Sequence, residues 1–166
     1  LTIPAGATQA NIDVPTTDDN RHEPTQAFRL ALSNAMGADF DDTTAVGTIQ
    51  DNDPRPQLTV GNAPHRGENQ GSTSFPITLD RVSEASACVR IKTTNNQAKA
   101  GSDFHAKDWN RTCFSDGQTS KSFTVSFIND GEHEGNERFY VDASNPNANL
   151  VIADGRGATR INNDDP

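Results

Sequence analysis

The sequence predicts an all-β fold, a thin two-layered sandwich that belongs to a tandem repeat. Three observations support this prediction: short runs alternate apolar with polar residues, Gly, Asn, Asp and Pro bound these runs, and one half of the chain repeats in the other. Alternation with a period of two is typical of a strand with one buried face, and no segment shows helical periodicity. Only 32% of the residues are hydrophobic, which favours two thin layers over one large core.

The repeat relates residues 3–28 to residues 114–139 at a constant spacing of 111 positions, as between Asp19 and Asp130. Further on, "TIQDND" at 48–53 matches "RINNDD" at 160–165 at a spacing of 112. A fixed period of this kind indicates tandem structural units. We therefore expect residues 1–53 to be the C-terminal half of a first unit, and residues 54–166 to be a complete second unit.

The second unit is predicted to contain seven short strands, placed by alternation and by turn residues. In "SFTVSFI" the side chains of Phe123, Val125 and Phe127 share one face, which predicts a core position for all three. Seven strands in a unit of this length are typical of an immunoglobulin-like antiparallel sandwich. The predicted strands lie near 57–61, 72–79, 87–94, 111–114, 120–128, 137–144 and 149–161.

The stretch "INDGEHEGNERF" at 128–139 places several acids between two of these strands. Together with "AGSDF" at 100–104, the surrounding "CFSDGQTSKSFTVSFINDGEHEGNERFYVDAS" at 113–144 and "RINNDD" at 160–165, it resembles the successive blocks of the Calx-beta domain family. This resemblance implies a seven-stranded sandwich, and it implies calcium at one end of the domain, because some members of the family bind calcium there.

The resemblance also implies a ligand set, because calcium takes six to eight oxygen ligands that must converge from several loops. Asn129 and Asn163 stand where calcium-binding members of the family have aspartate, which lowers the expected affinity for calcium. Gly131 and Gly135 are expected to let the acidic loop fold back on itself. The implied ligands are Glu68, Asp103, Asn129, Asp130, Glu134, Glu137, Asn163, Asp164 and Asp165, with Glu132 offering its backbone carbonyl.

The first unit keeps part of the same pattern, in Asp18, Asp19, Glu23, Asp51 and Asp53. However, Gln26 and Arg21 replace two of its acids, so we expect its calcium site to be incomplete. The alternative for both units is that the acids are solvated surface, which opposes aggregation between strand edges.

The two cysteines, Cys88 and Cys113, are both predicted to point away from the core. Because the resemblance implies that their strands are neighbours, we expect a disulfide between them, with two reduced thiols as the alternative. A disulfide indicates an oxidising, extracellular or cell-surface location. The sequon "NRT" makes Asn110 a weak candidate for glycosylation.

The sequence offers little for catalysis, because its four histidines are scattered and no nucleophile motif is present. His22 and His133 occupy equivalent repeat positions, which suggests a shared loop feature. The formal net charge of −9 argues against a nucleic-acid partner, and no basic stripe is apparent. No apolar run is long enough to span a membrane.

We therefore predict a non-catalytic extracellular module with a structural or adhesive role in a filament or long surface array. Calcium at the end loops and at the junction between units is expected to stiffen it. The expected partners are calcium ions and neighbouring repeats or copies of the same protein. For the half sandwich 1–53, completion by such a neighbour and a boundary set by cleavage are the two alternatives. A regulatory calcium sensor and an accessory domain of a secreted hydrolase are the alternatives.

Overall fold

The computed structural model describes all residues from Leu1 to Pro166. Their Cα positions divide into two compact units. The first unit comprises Leu1–Asn20 and Thr25–Gln50, and the second comprises Arg21–Pro24 and Asp51–Pro166. No helix in the structure has the length and apolar character that crossing a lipid bilayer requires.

The first unit contains a single two-stranded antiparallel sheet. Strand β1 (Gln26–Ala31) pairs with strand β2 (Thr44–Ile49), and Phe28 lies directly opposite Gly47. The absence of a side chain at Gly47 leaves room for the Phe28 ring, which covers that position. Half-buried residues alternate with exposed ones from Phe28 to the end of β1.

The second unit is a sandwich of two sheets, which confirms the predicted fold class. The four-stranded sheet has the order β10-β3-β5-β8, and the five-stranded sheet has the order β4-β11-β9-β6-β7. A single turn of 3-10 helix (Glu68–Gln70) follows β4. The strands are β3 Gln57–Val60, β4 Arg66–Gly67, β5 Ser72–Leu79, β6 Ala87–Thr94, β7 Asn110–Phe114, β8 Ser120–Ser126, β9 Glu137–Ser144, β10 Val151–Asp154 and β11 Arg156–Asn162.

The prediction of one continuous strand over 149–161 is wrong, because the chain changes sheets at Gly155. Before this residue, β10 runs parallel to β3. After it, β11 pairs antiparallel with β9 and parallel with β4. The peptide N–H of Ala143 donates to the Gly155 carbonyl at 2.8 Å, which holds the chain at the point of transfer. Period-two alternation continues through such a transfer, so the sequence pattern alone does not reveal it.

Four phenylalanine rings form the part of the core beneath the acidic loop. The Phe139 ring stacks on Phe104 with their centroids 4.4 Å apart, and it meets Phe75 and Phe127 edge-on at 5.7 and 6.4 Å. Phe123, Val125 and Phe127 are buried, as predicted. Because Phe104 follows Asp103, while Phe127 and Phe139 flank the acidic loop, this cluster anchors both segments at the same end of the sandwich.

Candidate metal centre

Six carboxylates gather in two groups of three at this end of the sandwich. One group is Glu68, Asp130 and Asp165, and the other is Asp103, Glu134 and Glu137. Within each group, one oxygen from every residue lies within 4.8 Å of the others. Oxygens on opposite sides of one calcium ion are about 5 Å apart, twice the calcium–oxygen distance. Each group therefore has the dimensions and the hard oxygen donors that suit such a cation.

Glu68 is placed by the turn of 3-10 helix that joins β4 to β5. The side chain of Gln70 accepts a hydrogen bond from the N–H of Gly67 at 3.2 Å, and the N–H of Gly71 donates to the Glu68 carbonyl at 2.9 Å. Gly71 has a φ of 74°, a left-handed conformation that favours glycine. This tight turn holds the Glu68 side chain at only 4% exposure.

Asp103 is held by the "AGSDF" turn, and it is only 6% exposed. Its Oδ2 accepts a hydrogen bond from the Lys99 N–H at 2.5 Å, and its own N–H donates to the Lys99 carbonyl at 3.0 Å. The N–H of Ile128, at the start of the acidic loop, donates to the Asp103 carbonyl at 3.0 Å. Backbone contacts thus connect Asp103 directly to the loop that supplies the other ligands of its group.

Asn163 ties the acidic loop to the end of the chain. Its Oδ1 accepts a hydrogen bond from the Glu134 N–H at 2.9 Å, and its Nδ2 donates to the Asp165 carbonyl at 2.7 Å. Its own N–H donates to Oδ1 of Asn136 at 3.1 Å. An amide both donates and accepts, whereas an ionised aspartate only accepts. The structure therefore gives Asn163 a bracing position that an aspartate would fill less well.

Asp130, a member of the first group, also bends the acidic loop, because its Oδ1 accepts a hydrogen bond from the Glu132 N–H at 2.8 Å in an Asx turn. The predicted ligands of the second unit that lie outside the two groups are Asn129, Glu132, Asn163 and Asp164. Asp164 Oδ1 accepts from the Asn69 N–H at 3.3 Å. Asn129 and the Glu132 side chain are exposed.

The expectation that the loop glycines supply special backbone angles is wrong. Neither Gly131 nor Gly135 has a positive φ. A Cβ added at either position would meet nothing within 4 Å. The Asx turn at Asp130 and the brace from Asn163 bend the loop instead, so ordinary backbone angles are sufficient.

The electrostatics of the two groups favour a bound cation. Burial raises the pKa of Glu68, and the nearby carboxylates of Glu134, Asp164, Asp130 and Asp165 raise it further. Burial and the neighbouring Asp103 also raise the pKa of both Glu134 and Glu137. In addition, the buried Oδ2 atom of Asp165 has no hydrogen-bond partner. The Asp165 oxygen thus lacks the donor that a buried polar atom ordinarily requires, and the carboxylates of each group repel one another.

The predicted ligands of the first repeat do not join either group. Asp18 and Asp19 belong to the first compact unit, and Glu23, Asp51 and Asp53 belong to the second. Asp51 Oδ2 lies 2.7 Å from His22 Nδ1, and Asp51 Oδ1 accepts a hydrogen bond from the Glu23 N–H at 3.1 Å.

These contacts repeat the arrangement around Asn163. The Nδ2 atom of Asn163 lies 3.2 Å from His133 Nδ1, and its Oδ1 binds the Glu134 N–H. Asp51 and His22 are the repeat equivalents of Asn163 and His133. The shared histidine position is therefore part of a brace between the acidic loop and the end of each repeat.

Sequence reasoning missed three residues that support the site: Asn69, Lys99 and Asn136. Asn69 and Lys99 contribute through their backbone N–H groups, for which side-chain identity gives no signal. Asn136 accepts from the Asn163 backbone. Its place inside the acidic loop was the only available indication.

Cys88 and Cys113 form the predicted disulfide, at directly paired positions on β6 and β7. Cys88 does not join the main hydrophobic cluster, but it is only 5% exposed and therefore buried rather than facing solvent. The Arg111 guanidinium lies against it, 3.4 Å from its Sγ, and Asn147 Oδ1 accepts a hydrogen bond from the Cys88 N–H at 3.1 Å. The sequon residue Asn110 is exposed at the start of β7.

Three comparisons place these observations among known proteins. The chain is similar in structure to an apo-form Calx CBD1 domain, with a TM-score of 0.63 and 23% identity, covering 68% of this chain and 100% of that one. For CBD12 from CALX1.2 the TM-score is 0.61 at 23% identity, covering 66% of this chain and 46% of that one. For the Calx CBD2 domain the TM-score is 0.57 at 11% identity, with coverage of 63% and 85%.

At sequence identities of 11–23%, these structural similarities are evidence about the fold alone. A comparison with curated proteins finds no match. The family model of the Calx-beta domain matches residues 1–53 and again residues 51–165. Because these two matches together cover nearly the whole chain, the protein belongs to the Calx-beta domain family.

Proposed function

We propose that the second unit binds calcium at two adjacent sites, Glu68–Asp130–Asp165 and Asp103–Glu134–Glu137. The observation that carries this proposal is the convergence of three carboxylates, twice, within the span of one calcium coordination sphere. All six donors are carboxylate oxygens, without the thiolate or imidazole ligands typical of zinc. A solved structure of similar fold is that of the calcium binding domain CBD12 of CALX1.1, which supports the choice of cation.

The buried negative charge gives the physical reason for binding. Carboxylates that are withdrawn from water and face one another destabilise the fold unless a counter-charge is present. A divalent cation in each group would remove this repulsion. It would also give the buried Oδ2 of Asp165 a partner. Backbone carbonyls and water would complete the six to eight ligands that calcium takes.

Binding would join four separate segments of the chain. The ligands come from the 3-10 turn at Glu68, the turn at Asp103, the acidic loop and the chain end at Asp165. The ion at Glu68–Asp130–Asp165 would bridge three of these segments, and the ion at Asp103–Glu134–Glu137 would bridge two, so together they would restrict the motion of all four. We therefore propose that calcium stiffens this end of the sandwich, in a module that has no catalytic role.

Its proposed setting is a cell-surface or secreted protein built from such repeats. The disulfide between Cys88 and Cys113 supports an oxidising compartment. Two successive matches to the family support a division into repeats at about residue 53, and an array in which neighbouring repeats are the protein partners. An adhesive role in the array is part of this proposal.

We further propose that the first repeat binds calcium weakly or not at all within this chain. Asp51, the repeat equivalent of Asn163, is engaged by His22 and by the Glu23 N–H. Burial raises the pKa of Asp51, but these hydrogen bonds outweigh burial and hold it below its ordinary value. The carboxylate is already compensated, so it has less to gain from a cation.

Isothermal titration with calcium tests the proposal on two isosteric variants, Asp130→Asn and Glu137→Gln. Each variant removes the charge of one carboxylate, and the two lie in different groups. The matched control is Asp108→Asn, which removes an exposed carboxylate outside both groups. We expect the wild type and the control to bind about two ions, and each site variant to lose or weaken one. Equal isotherms for all four proteins would contradict the proposal.

The same titration separates a stiffening module from a sensor. Extracellular calcium modules bind in the range of about 10⁻⁴–10⁻³ M, whereas sensors bind at about 10⁻⁷–10⁻⁵ M. We expect the weaker range, because the neutral Asn129 and Asn163 stand at two of the ligand positions that the family resemblance implies.

A further inference from the structure

The outer face of the five-stranded sheet carries most of its charge as cations. Along β6, β9 and β11, core residues such as Ile91, Val141 and Ile161 alternate with outward-facing residues. The outward positions of these strands and of β7 include only one acid, Asp142. The cations of this face, here called the basic face, are Arg90, Lys92, Arg111, Arg138, Arg156 and Arg160.

This concentration is unusual for a chain with 14 Lys and Arg residues and a formal net charge of −9. Two pairs of arginines lie directly opposite each other on neighbouring strands, Arg90 with Arg111 and Arg138 with Arg160. Like charges placed directly across a sheet destabilise it. Arg90, Arg138 and Arg160 form no ion pair. Their placement therefore offers no evident benefit to the fold.

Two aromatic residues are interleaved with these cations. The Lys92 Nζ lies 4.6 Å from the centroid of the Trp109 ring, and the Arg156 guanidinium lies 4.8 Å from that of Tyr140. Such contacts hold a cation over a ring face. Trp109 is nevertheless 38% exposed at the edge of the sheet. The basic face thus presents both fixed positive charge and amphipathic aromatic surface.

We propose that the basic face binds a linear acidic polysaccharide that carries carboxylates, such as a polyuronate. Arginine has the planar donor fork that matches a carboxylate, and the exposed Trp109 and the half-buried Tyr140 offer flat apolar surface beside it. The arginine pairs lie six residues apart along β9, from the position opposite Arg90 to Arg138. At about 3.3 Å per residue this is roughly 20 Å, a track long enough for several sugars.

Charge density favours such a partner over a nucleic acid. Duplex DNA carries one negative charge per about 1.7 Å of its axis. Along this track, the six cations of the basic face, partly offset by one carboxylate, cannot neutralise so many phosphates. The excess would be repelled by the rest of an acidic chain. A polyuronate carries one carboxylate per sugar, which is a sparser charge and a closer match to the basic face.

The test compares two triple variants that remove the same charge. Arg90→Gln/Arg138→Gln/Arg160→Gln neutralises the basic face, and Arg29→Gln/Arg55→Gln/Arg66→Gln removes three exposed arginines located elsewhere. Binding to polygalacturonate is measured at low ionic strength, where surface charges are least screened. A chelator is present throughout, so that calcium cannot bridge the polysaccharide to the acidic groups. The result is then independent of the proposed calcium sites.

We expect the basic-face variant to bind polygalacturonate roughly tenfold more weakly than the wild type, as three lost surface ion pairs imply. The control variant should stay within about twofold. Thermal melts should show that the basic-face variant is at least as stable as the wild type, because it loses repulsion and no ion pair. Uncharged dextran should bind to none of the three proteins.

Four results would overturn the proposal. They are equal losses in the two variants, wild-type binding no tighter than to dextran, tighter binding to duplex DNA than to polygalacturonate, or self-association in sedimentation that only the basic-face variant loses. The last result would assign the basic face to a second copy of the chain.

Discussion

Glu68 and Asp142 are both largely withdrawn from water, but the charges around them differ in sign: Glu68 faces other carboxylates, and Asp142 faces Arg156. Burial raises the pKa of Glu68, and neighbouring carboxylates raise it further. Burial also opposes ionisation of Asp142, but hydrogen bonds from Arg156 and Thr94 outweigh it and hold its pKa below the ordinary value. Asp142 is therefore compensated within the fold, whereas Glu68 is poised for an external cation.

This contrast predicts that Glu68→Gln stabilises the calcium-free protein while it weakens calcium binding. Removing one of several facing charges should raise the free energy of unfolding by about 1 kcal/mol. For a unit of this size, the Tm in chelator should rise by about 4 °C or more. Glu84→Gln is the control, because Glu84 lies 3.6 Å from Arg21 and outside the acidic groups. A Tm equal to or below that of the wild type would show that Glu68 is not destabilised in the free protein.

The raised pKa values also predict the pH dependence of the calcium-free protein. For Glu68, Glu134 and Glu137, the folded state holds protons more tightly than the unfolded state, so stability falls as pH rises above their ordinary value of 4.5. Asp80 and Asp142 have lowered pKa values and therefore the opposite effect. They stabilise the folded state when ionised, and this stabilisation is lost as pH falls below their ordinary value of 3.8.

Metal-free protein should therefore melt at a higher temperature near pH 5 than at pH 7. Saturating calcium should remove or reverse this trend, because the ion occupies the same oxygens. The measurement is a series of thermal melts on metal-stripped protein between pH 4 and pH 8. A Tm that rises steadily to pH 7 without calcium would contradict the assignment of the raised pKa values.

At the scale of elements, strand β11 passes very close to β3 on the facing sheet. A Cβ added at Gly157 would lie 2.5 Å from the Gly61 carbonyl oxygen and 2.9 Å from side-chain atoms of Phe75 and Val60. The two sheets therefore approach each other at a position where only glycine fits. This contact lies just beyond the transfer point at Gly155.

Gly157→Ala is accordingly predicted to destabilise the second unit by about 1–3 kcal/mol through overpacking. Gly131→Ala in the acidic loop is the matched control, because its added Cβ would meet nothing within 4 Å. Denaturant unfolding measures both. Comparable losses in the two variants, or none in Gly157→Ala, would mean that the sheets separate more easily than their packing indicates.

The disulfide joins β6 to β7 across a loop of 25 residues. A cross-link of this length is expected to stabilise the fold by about 3 kcal/mol. Cys88→Ser/Cys113→Ser should therefore lower the Tm by roughly 10 °C or more.

Calcium affinity of the folded double variant should stay near that of the wild type, because Cys88 lies at the far end of β6 from the acidic loop. Thermal melts and calcium titration measure the two effects. A large loss of affinity in the folded variant would indicate that the disulfide and the loops are coupled.

At the scale of the whole molecule, the repeat and the alternation were sufficient to predict the sandwich and its inward residues. Phe123, Val125 and Phe127 are buried because they share one face of a strand, and that face packs against the core. The transfer at Gly155 was not predictable, because alternation is the same in either sheet. The brace at Asn163 depends on which loop meets the chain end, which spacing does not reveal.

The basic face shows that sequence spacing also fails to reveal some candidate functional surfaces. Its six cations are spread over 71 positions in the sequence, from Arg90 to Arg160, so no basic stripe is visible there. Only the register of β6, β7, β9 and β11 brings them together. By contrast, all six clustered carboxylates were among the ligands that the family resemblance implied, and five of them lie in "AGSDF", the acidic loop and "RINNDD".

The most direct test of the calcium proposal is the thermal unfolding of metal-stripped protein with and without 10 mM calcium, a concentration about tenfold above the weakest extracellular sites. Magnesium at the same concentration controls for ionic strength. Each occupied site with a Kd of about 0.1–1 mM should add about 1.4–2.7 kcal/mol. We predict a Tm at least about 5 °C higher in calcium than in magnesium. The same Tm in calcium, magnesium and chelator would show that the six carboxylates hold no calcium.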